Sequence, residues 1–195
     1  GYLHETYGTY EMNGIAFSDV NEIWWFETIG GHHWMARRVP DDCYVVMPNQ
    51  LGIDSFDFDD AYGKQENYMC CSDLKEFVEK NHLDLNPDGP FDPRLAFGSH
   101  SDSDHIYNTP RAWIMLRCLN PSFQSNPEDD NLPWCMVPER KITVEDVKYI
   151  LSNHYQGTPY DKKSKNATLP NCYRTIGINR NNFLSCVQLR PYVPE

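Results

Sequence analysis

The sequence predicts an α+β fold, an antiparallel sheet with helices packed on it, and three observations carry that expectation. Residues 14–49 are a series of short, aromatic-rich, β-forming segments split by turn residues. Residues 72–151 hold capped segments with apolar side chains at helical spacing. Residues 173–189 return to a β-like composition. Strands, then helices, then strands is the order of an α+β chain, not of alternating βαβ units. At 195 residues the expectation is a single domain over 1–195. A hydrophobic content of 40%, with 13% aromatic residues, supplies enough apolar surface to drive folding.

Gly14-Ile15-Ala16-Phe17-Ser18 and Glu22-Ile23-Trp24-Trp25-Phe26-Glu27 read as two strands around a polar turn at Asp19-Val20-Asn21. Gly30-Gly31 permits the positive φ values of a tight hairpin turn, and residues 34–39 form the returning strand. Pro40-Asp41-Asp42 makes the next turn. Tyr44-Val45-Val46-Met47, apolar throughout, completes an antiparallel meander as a strand covered on both faces. Successive side chains alternate faces in a strand, so Trp24, Trp25 and Phe26 need cover on both sides. They are the residues expected to be uncovered in the isolated chain, which should then self-associate as a homo-oligomer. Asp54, Asp57, Asp59 and Asp60 lack the glycine and terminal Glu of a calcium loop and read as a solvated acidic loop over 54–60.

Ser72 reads as the cap of a helix over 73–81 that buries Leu74, Phe77 and Val78. Asp92-Pro93 supplies a cap and a first-turn proline for a short helix ending near Gly98. Asn108-Thr109-Pro110 does the same for a helix to Leu119, which Asn120-Pro121 stops. Residues 121–138 read as a long, proline-rich surface or binding loop. Thr143-x-x-Asp146 is a capping box in form, followed by a buried stripe of Val144, Val147, Ile150 and Leu151. Residues 162–166 are a solvated loop, and residues 173–178 and 183–189 around Asn179-Arg180-Asn181-Asn182 read as a second hairpin.

A net charge of −11 disfavours nucleic acid as a partner, since phosphate-backbone affinity comes from clustered Lys and Arg. No apolar run has the length of a membrane span, and the first residues lack the basic and apolar regions of a signal peptide, so no membrane partner is expected. The seven cysteines are odd in number and contain no C-x-x-C pair, against a disulfide framework or a structural zinc. Mostly buried free thiols in a reducing, cytoplasmic setting are the expectation. Asn166-Ala167-Thr168 fits a glycosylation sequon, which is common by chance and irrelevant in that compartment.

One region is more specific than any of these patterns. The stretch from Gly30 to Asp54 contains Gly30-Gly31-His32-His33-Trp34, Arg38-Val39-Pro40-Asp41-Asp42 and Met47-Pro48-Asn49-Gln50-Leu51-Gly52. It is joined by Tyr107-Asn108-Thr109-Pro110-Arg111, Leu132-Pro133-Trp134-Cys135, residues 137–149, residues 154–160 and Gly177-Ile178-Asn179-Arg180. Together these resemble the PepD-type (dipeptidase A) cysteine dipeptidases, a branch of the N-terminal-nucleophile hydrolases related to penicillin V acylase and choloylglycine hydrolase. The resemblance implies an αββα sandwich, no cofactor, a dipeptide substrate and an N-terminal cysteine whose thiolate attacks the peptide carbonyl while its own α-amine manages the proton. The sequence begins Gly1-Tyr2-Leu3, so on this resemblance it is expected to be an interior fragment of a longer peptidase, inactive by itself, whose flanking segments complete it.

Two catalytic residues are implied by the resemblance. Asn49, just after the Tyr44–Met47 segment, corresponds to an asparagine that lines the site in the acylase relatives, where an uncharged amide can hold the oxyanion; the alternative is a turn asparagine after Pro48. Arg111 stands in the first turn of its helix, where a cation gains nothing from the helix dipole. Its counterpart in related acylases reaches the nucleophile region, and the alternative is a bridge to Asp102 or Asp104. His33 and Trp34 are candidate substrate contacts, although His32 and His33 should point to opposite faces of a regular strand and not serve one site together. A metal centre is not expected: His100-Ser101-Asp102-Ser103-Asp104-His105 fits no standard zinc spacing and suits an Asx-type turn. Two other functions remain open on the residues alone, a non-catalytic binding module and a metallohydrolase built on His100, Asp102, Asp104 and His105.

Overall fold

The structure is a computed structural model and describes residues 14–99, 101–181 and 184–193. These divide into two compact units. The first holds residues 14–99 together with Pro133–Cys135, and the second holds the remainder.

In the first unit β1 (Gly14–Ser18), β2 (Ile23–Gly30) and β3 (His33–Arg38) form the expected meander, each pair antiparallel. Gly30 and Gly31 turn the β2–β3 hairpin at φ 145° and 55°, values that carry a steric cost for residues with a Cβ. The fourth strand is not the Tyr44–Met47 segment. It is β5 (Tyr68–Cys70), which pairs antiparallel with β3 and gives the order β1-β2-β3-β5. Only Tyr44–Val45 is strand, β4, and its partner is β6 (Cys135–Met136) in a separate two-stranded ribbon. Residues 44–47 are half-buried, not covered on both faces. The proline-rich connection is likewise more than a surface loop, because Leu132 and Trp134 within it are buried and Trp134 joins the core of the first unit.

Pairing fixes the two faces of the sheet. Trp25 lies opposite Arg37, and Glu27 lies opposite Met35. Met35 is at the centre of a core with Val39, Ile53, Phe56, Leu74, Val78 and Trp134. The Arg37 guanidinium stacks over the Trp134 ring at 4.5 Å and pairs with Asp54 at 2.8 Å, while the other Asp54 oxygen accepts the Trp134 backbone N–H at 3.1 Å. On the opposite face Phe26 stacks on Trp34 and meets Phe17 edge-on. The alternation expected of Trp25 and Phe26 is therefore present. Both are half-buried, as is Trp24, so they are not the most uncovered apolar residues. Ile15 and Phe17 of β1 are more open, at 51% and 56% exposure. We expect the isolated chain to self-associate through β1, the outermost strand of this sheet among the described residues, with sedimentation rising with concentration, and Phe17→Glu to return it to monomer; a wild-type monomer at every concentration would show that β1 needs no cover.

The acidic segment is structural, not merely solvated. Asp57 caps α1 (Phe58–Ala61) by accepting from the Asp59 and Asp60 N–H groups. Asp60 accepts backbone N–H groups from Glu66, Asn67 and Tyr68, which fixes the approach to β5 and holds its carboxyl below the usual range. α2 (Leu74–Lys80) buries Leu74 and Val78, but its N-cap is Asp73 instead of Ser72, and the Asp73 side chain is turned to a histidine. α3 (Pro93–Phe97) starts as the sequence indicates, with Asp92 accepting from the Leu95 N–H.

The second unit is helical and irregular. α4 (Asp102–Tyr107) stands in place of the expected Asx-type turn, and α5 (Thr109–Leu119) buries Ala112, Trp113, Ile114, Leu116 and Leu119. α6 (Val144–Leu151) carries a complete capping box between Thr143 and Asp146, the shorter acid reaching because Arg140 also holds it. Its stripe is shallower than expected: Ile150 alone is buried, and Val144 is exposed. Residues 173–181 and 184–189 contain no strand, so the expected second hairpin is absent among the described residues; Asn182 and Phe183 lie outside them. No helix among the described residues is long and apolar enough to cross a membrane.

Candidate active site

Asn49 lies in the first unit, in the segment that leaves β4. Its backbone is left-handed, at φ 59°, a region asparagine tolerates better than most residues, and the residue is exposed. The neighbouring residues Leu51 to Ile53 pin this turn. Leu51 and Ile53 are buried, and the Gly52 N–H donates to Glu27 Oε1 at 2.8 Å. A Cβ on Gly52 would stand 2.8 Å from both Met47 Cε and Trp134 Cδ1, so glycine is required by close approach.

Glu27 is the feature the sequence did not announce. It is fully buried on the core face of β2, and its Oε1 also accepts the Trp25 Nε1–H at 2.8 Å, while Oε2 has no hydrogen-bond partner among the described residues. Burial pushes the carboxyl up to about 7, with the hydrogen bonds from Gly52 and Trp25 opposing the shift. A Glu at the end of an aromatic strand reads as a polar edge. Only the tertiary contact with Gly52 reveals it as the anchor of the Asn49 turn.

His33 and Trp34 have different neighbours. The His33 ring stacks on Phe77 at 4.0 Å, beside an open apolar cavity of about 350 Å³ lined with Ile29, Phe77, Leu83 and Phe97. Trp34 stacks on Phe26. His32 and His33 do not diverge as a regular strand would have it. His32 sits in the turn before β3, their rings lie 4.2 Å apart, and both approach Asp73 Oδ2, at 2.6 and 3.5 Å. The His32 hydrogen bond holds the Asp73 carboxyl below its usual range. These three side chains bring potential ligand atoms within 4.8 Å of one another and are the group among the described residues able to hold a metal. Asp102, Asp104 and His105 form no such group: Asp104 bonds Asn108, and His105 bonds Asp130. His100 lies outside the described residues.

Arg111 lies in the second unit, half-buried at the start of α5. Its Nε donates to the Tyr107 carbonyl at 2.5 Å and a terminal nitrogen to Asn108 Oδ1 at 2.6 Å, while Asn108 Nδ2 donates in turn to buried Asp104. The alternative, a direct bridge to Asp102 or Asp104, is absent among the described residues, and Arg111 reaches Asp104 through Asn108. Asn108 consequently does not cap α5 with its side chain. Burial, then the neighbouring Arg174 guanidinium, lower the Arg111 pKa.

The seven thiols are all free but mostly half-buried, with Cys71 alone fully buried. Burial pushes Cys43 up to about 12 and raises Cys70, Cys71, Cys118 and Cys135 as well. Such groups remain thiols at neutral pH and are poor nucleophiles.

With this geometry in view, a family model for peptidase family C69 matches residues 1–195. The chain belongs to that family. Across its whole length it is 59% identical to a dipeptidase of Bifidobacterium longum (strain NCC 2705) and 48% identical to dipeptidase A of Lactobacillus helveticus, covering 39% and 40% of those proteins. It is 54% identical to a probable dipeptidase A of Streptococcus pyogenes serotype M18, covering 41% of it. This family C69 chain thus spans about 40% of the length of the curated relatives it matches. The Asn49 turn and the Arg111 relay are accordingly features of a peptidase-family chain.

Proposed function

We propose that the protein hydrolyses dipeptides. Identity of 48 to 59% over the entire chain with proteins named dipeptidases carries the reading. On it, the chain is part of an αββα N-terminal-nucleophile sandwich, and the nucleophile is a terminal cysteine other than the seven present here. That reading is supported by the raised pKa of five of those thiols. The thiolate attacks the peptide carbonyl carbon and the C–N bond breaks. The leaving amine takes the proton carried by the terminal α-amine, and water then cleaves the thioester to restore the thiolate. The Asn49 amide donates to the oxyanion of the tetrahedral intermediates. Arg111 acts near the nucleophile, where a guanidinium favours the thiolate or holds a carboxylate. His33 borders an apolar cavity suited to a substrate side chain.

The test compares the full-length protein with residues 1–195 on a panel of unblocked dipeptides. Turnover is expected from the full-length protein alone, with loss on alkylation of one thiol that peptide mapping places at a mature amino terminus. Turnover by residues 1–195 above a heat-killed control would move the chemistry into this chain. Dipeptide binding without turnover by the full-length protein would favour a binding module.

A further inference from the structure

The apex of the β2–β3 hairpin departs from regular pairing, and the departure gathers three side chains. In a regular strand His32 and His33 project to opposite faces. Here the register shifts between Thr28 and Gly30, Gly30 pairs with His33 and His32 falls in the turn, so both rings reach one carboxylate, that of Asp73, and lie 4.2 Å apart. The Phe77 ring, stacked at 4.0 Å, holds the His33 imidazole in place. Asp73 gives up a local role to be there. It is the N-cap residue of α2, yet its side chain makes no capping hydrogen bond. Oδ2 faces the histidines, 2.6 Å from His32 Nε2 and 3.5 Å from His33 Nε2. Oδ1 is closed to solvent and, apart from the weakly donating Cys71 thiol near this carboxyl, lacks a hydrogen-bond partner among the described residues. A hydrogen bond from His32 alone explains neither the second imidazole nor the idle oxygen.

Two imidazole nitrogens and one carboxylate oxygen are a donor set that suits zinc, and these three atoms lie within 4.8 Å of one another. The donor atoms around a tetrahedral zinc stand about 3.3 Å apart, given bonds of about 2.0–2.2 Å. The 3.5 Å between His33 Nε2 and Asp73 Oδ2 is already close to that span. The 2.6 Å contact of His32 has to open by roughly 0.7 Å, and His32, exposed in the turn, has room to move. Three protein ligands leave a fourth position for water or an added ligand.

We propose that His32, His33 and Asp73 are the protein ligands of a zinc ion that fastens the β2–β3 hairpin to the start of α2. The ion replaces one hydrogen bond with three metal bonds between segments 41 residues apart in the chain. Because His33 also lines the apolar cavity with Ile29, Phe77, Leu83 and Phe97, the ion fixes the orientation of part of that wall. The inference rests on these side chains and is independent of the dipeptidase reading.

The test titrates Zn²⁺ into the full-length protein after treatment with a chelator, and follows binding by calorimetry and the thermal midpoint. Wild type should bind zinc in the micromolar range and melt higher with it, because an ion that binds the folded state alone stabilises it. His32→Gln, His33→Gln and Asp73→Asn should each weaken one site by at least about 100-fold, since loss of even an outer-shell partner costs 10- to 100-fold, and should abolish the thermal gain. His105→Gln, in the second unit, should change neither. Wild-type binding weaker than about 1 mM, or affinity that survives all three substitutions, overturns the proposal. Cobalt(II) added to wild type decides the ligand set even if a variant fails to fold. Visible bands of four-coordinate cobalt without thiolate-to-metal charge transfer support two imidazoles and a carboxylate, whereas a charge-transfer band places the metal on a cysteine and refutes the site.

Discussion

Replacing Glu27 with Gln should flatten the pH dependence of stability between about pH 4 and pH 8 and leave the fold in place. Burial holds the Glu27 carboxyl protonated up to about 7, against 4.5 for an unperturbed glutamate. Proton counting gives the sign. Below the unfolded value both states carry the proton and the native state has its full advantage. Between the two values the unfolded chain has released the proton while the native chain keeps it, so stability falls as pH rises. Above about 7 the native carboxylate is charged and buried, and the advantage is gone. The whole excursion is on the order of 3 kcal/mol, a large share of the stability of one domain. Gln keeps an acceptor for the Trp25 and Gly52 N–H groups and cannot ionise. Its thermal midpoint should therefore exceed that of wild type most at pH 8 and least near pH 4. Carboxylates with lowered pKa, such as Asp60 and Asp73, tilt both proteins equally in acid, so the difference curve isolates Glu27. A pH-independent difference would mean that Glu27 is not the titrating group.

Substituting Asn49 in the full-length protein should lower kcat by roughly a hundredfold, the loss typical of one oxyanion donor. The choice of substitution matters because Asn49 has a positive φ. Ala at that position adds backbone strain of about 1–2 kcal/mol to the loss of the amide, so the two effects would be confused. Gly relieves the strain and also lacks the amide. Asn49→Gly and Asn49→Ala should lose kcat equally, while only Ala loses thermal stability. If Asn49→Gly keeps wild-type kcat, the residue is there for its turn alone. Glu27→Gln supplies a connected control, since it preserves the Gly52 contact that pins this turn and should leave kcat largely intact.

Much of the local structure was legible in the chain. The Gly30-Gly31 turn, the Asp92-Pro93 start of α3 and the Thr143–Asp146 capping box are set by interactions within a few residues, where side-chain chemistry and φ preference suffice. The family likeness was legible for a related reason, since its motifs are contiguous. Errors gathered where the deciding partner is distant. Tyr44–Met47 has the composition of a sheet strand, but composition does not choose a neighbour, and Tyr68–Cys70 takes the place beside β3. Residues 173–189 have β-forming side chains, yet no ladder partner reaches the described part of them.

The sequence by itself determined that this is an acidic α+β chain with a PepD-like pattern, and it marked Asn49 and Arg111 as residues to pursue. The tertiary structure alone decided what holds them. The Asn49 turn is pinned through Gly52 by a carboxyl group 25 residues from that glycine, and Arg111 reaches Asp104 through Asn108. Burial is a property of the assembled core. It turns an ordinary-looking Glu27 into a group that titrates near neutrality, and no count or spacing of residues along the chain contains that desolvation.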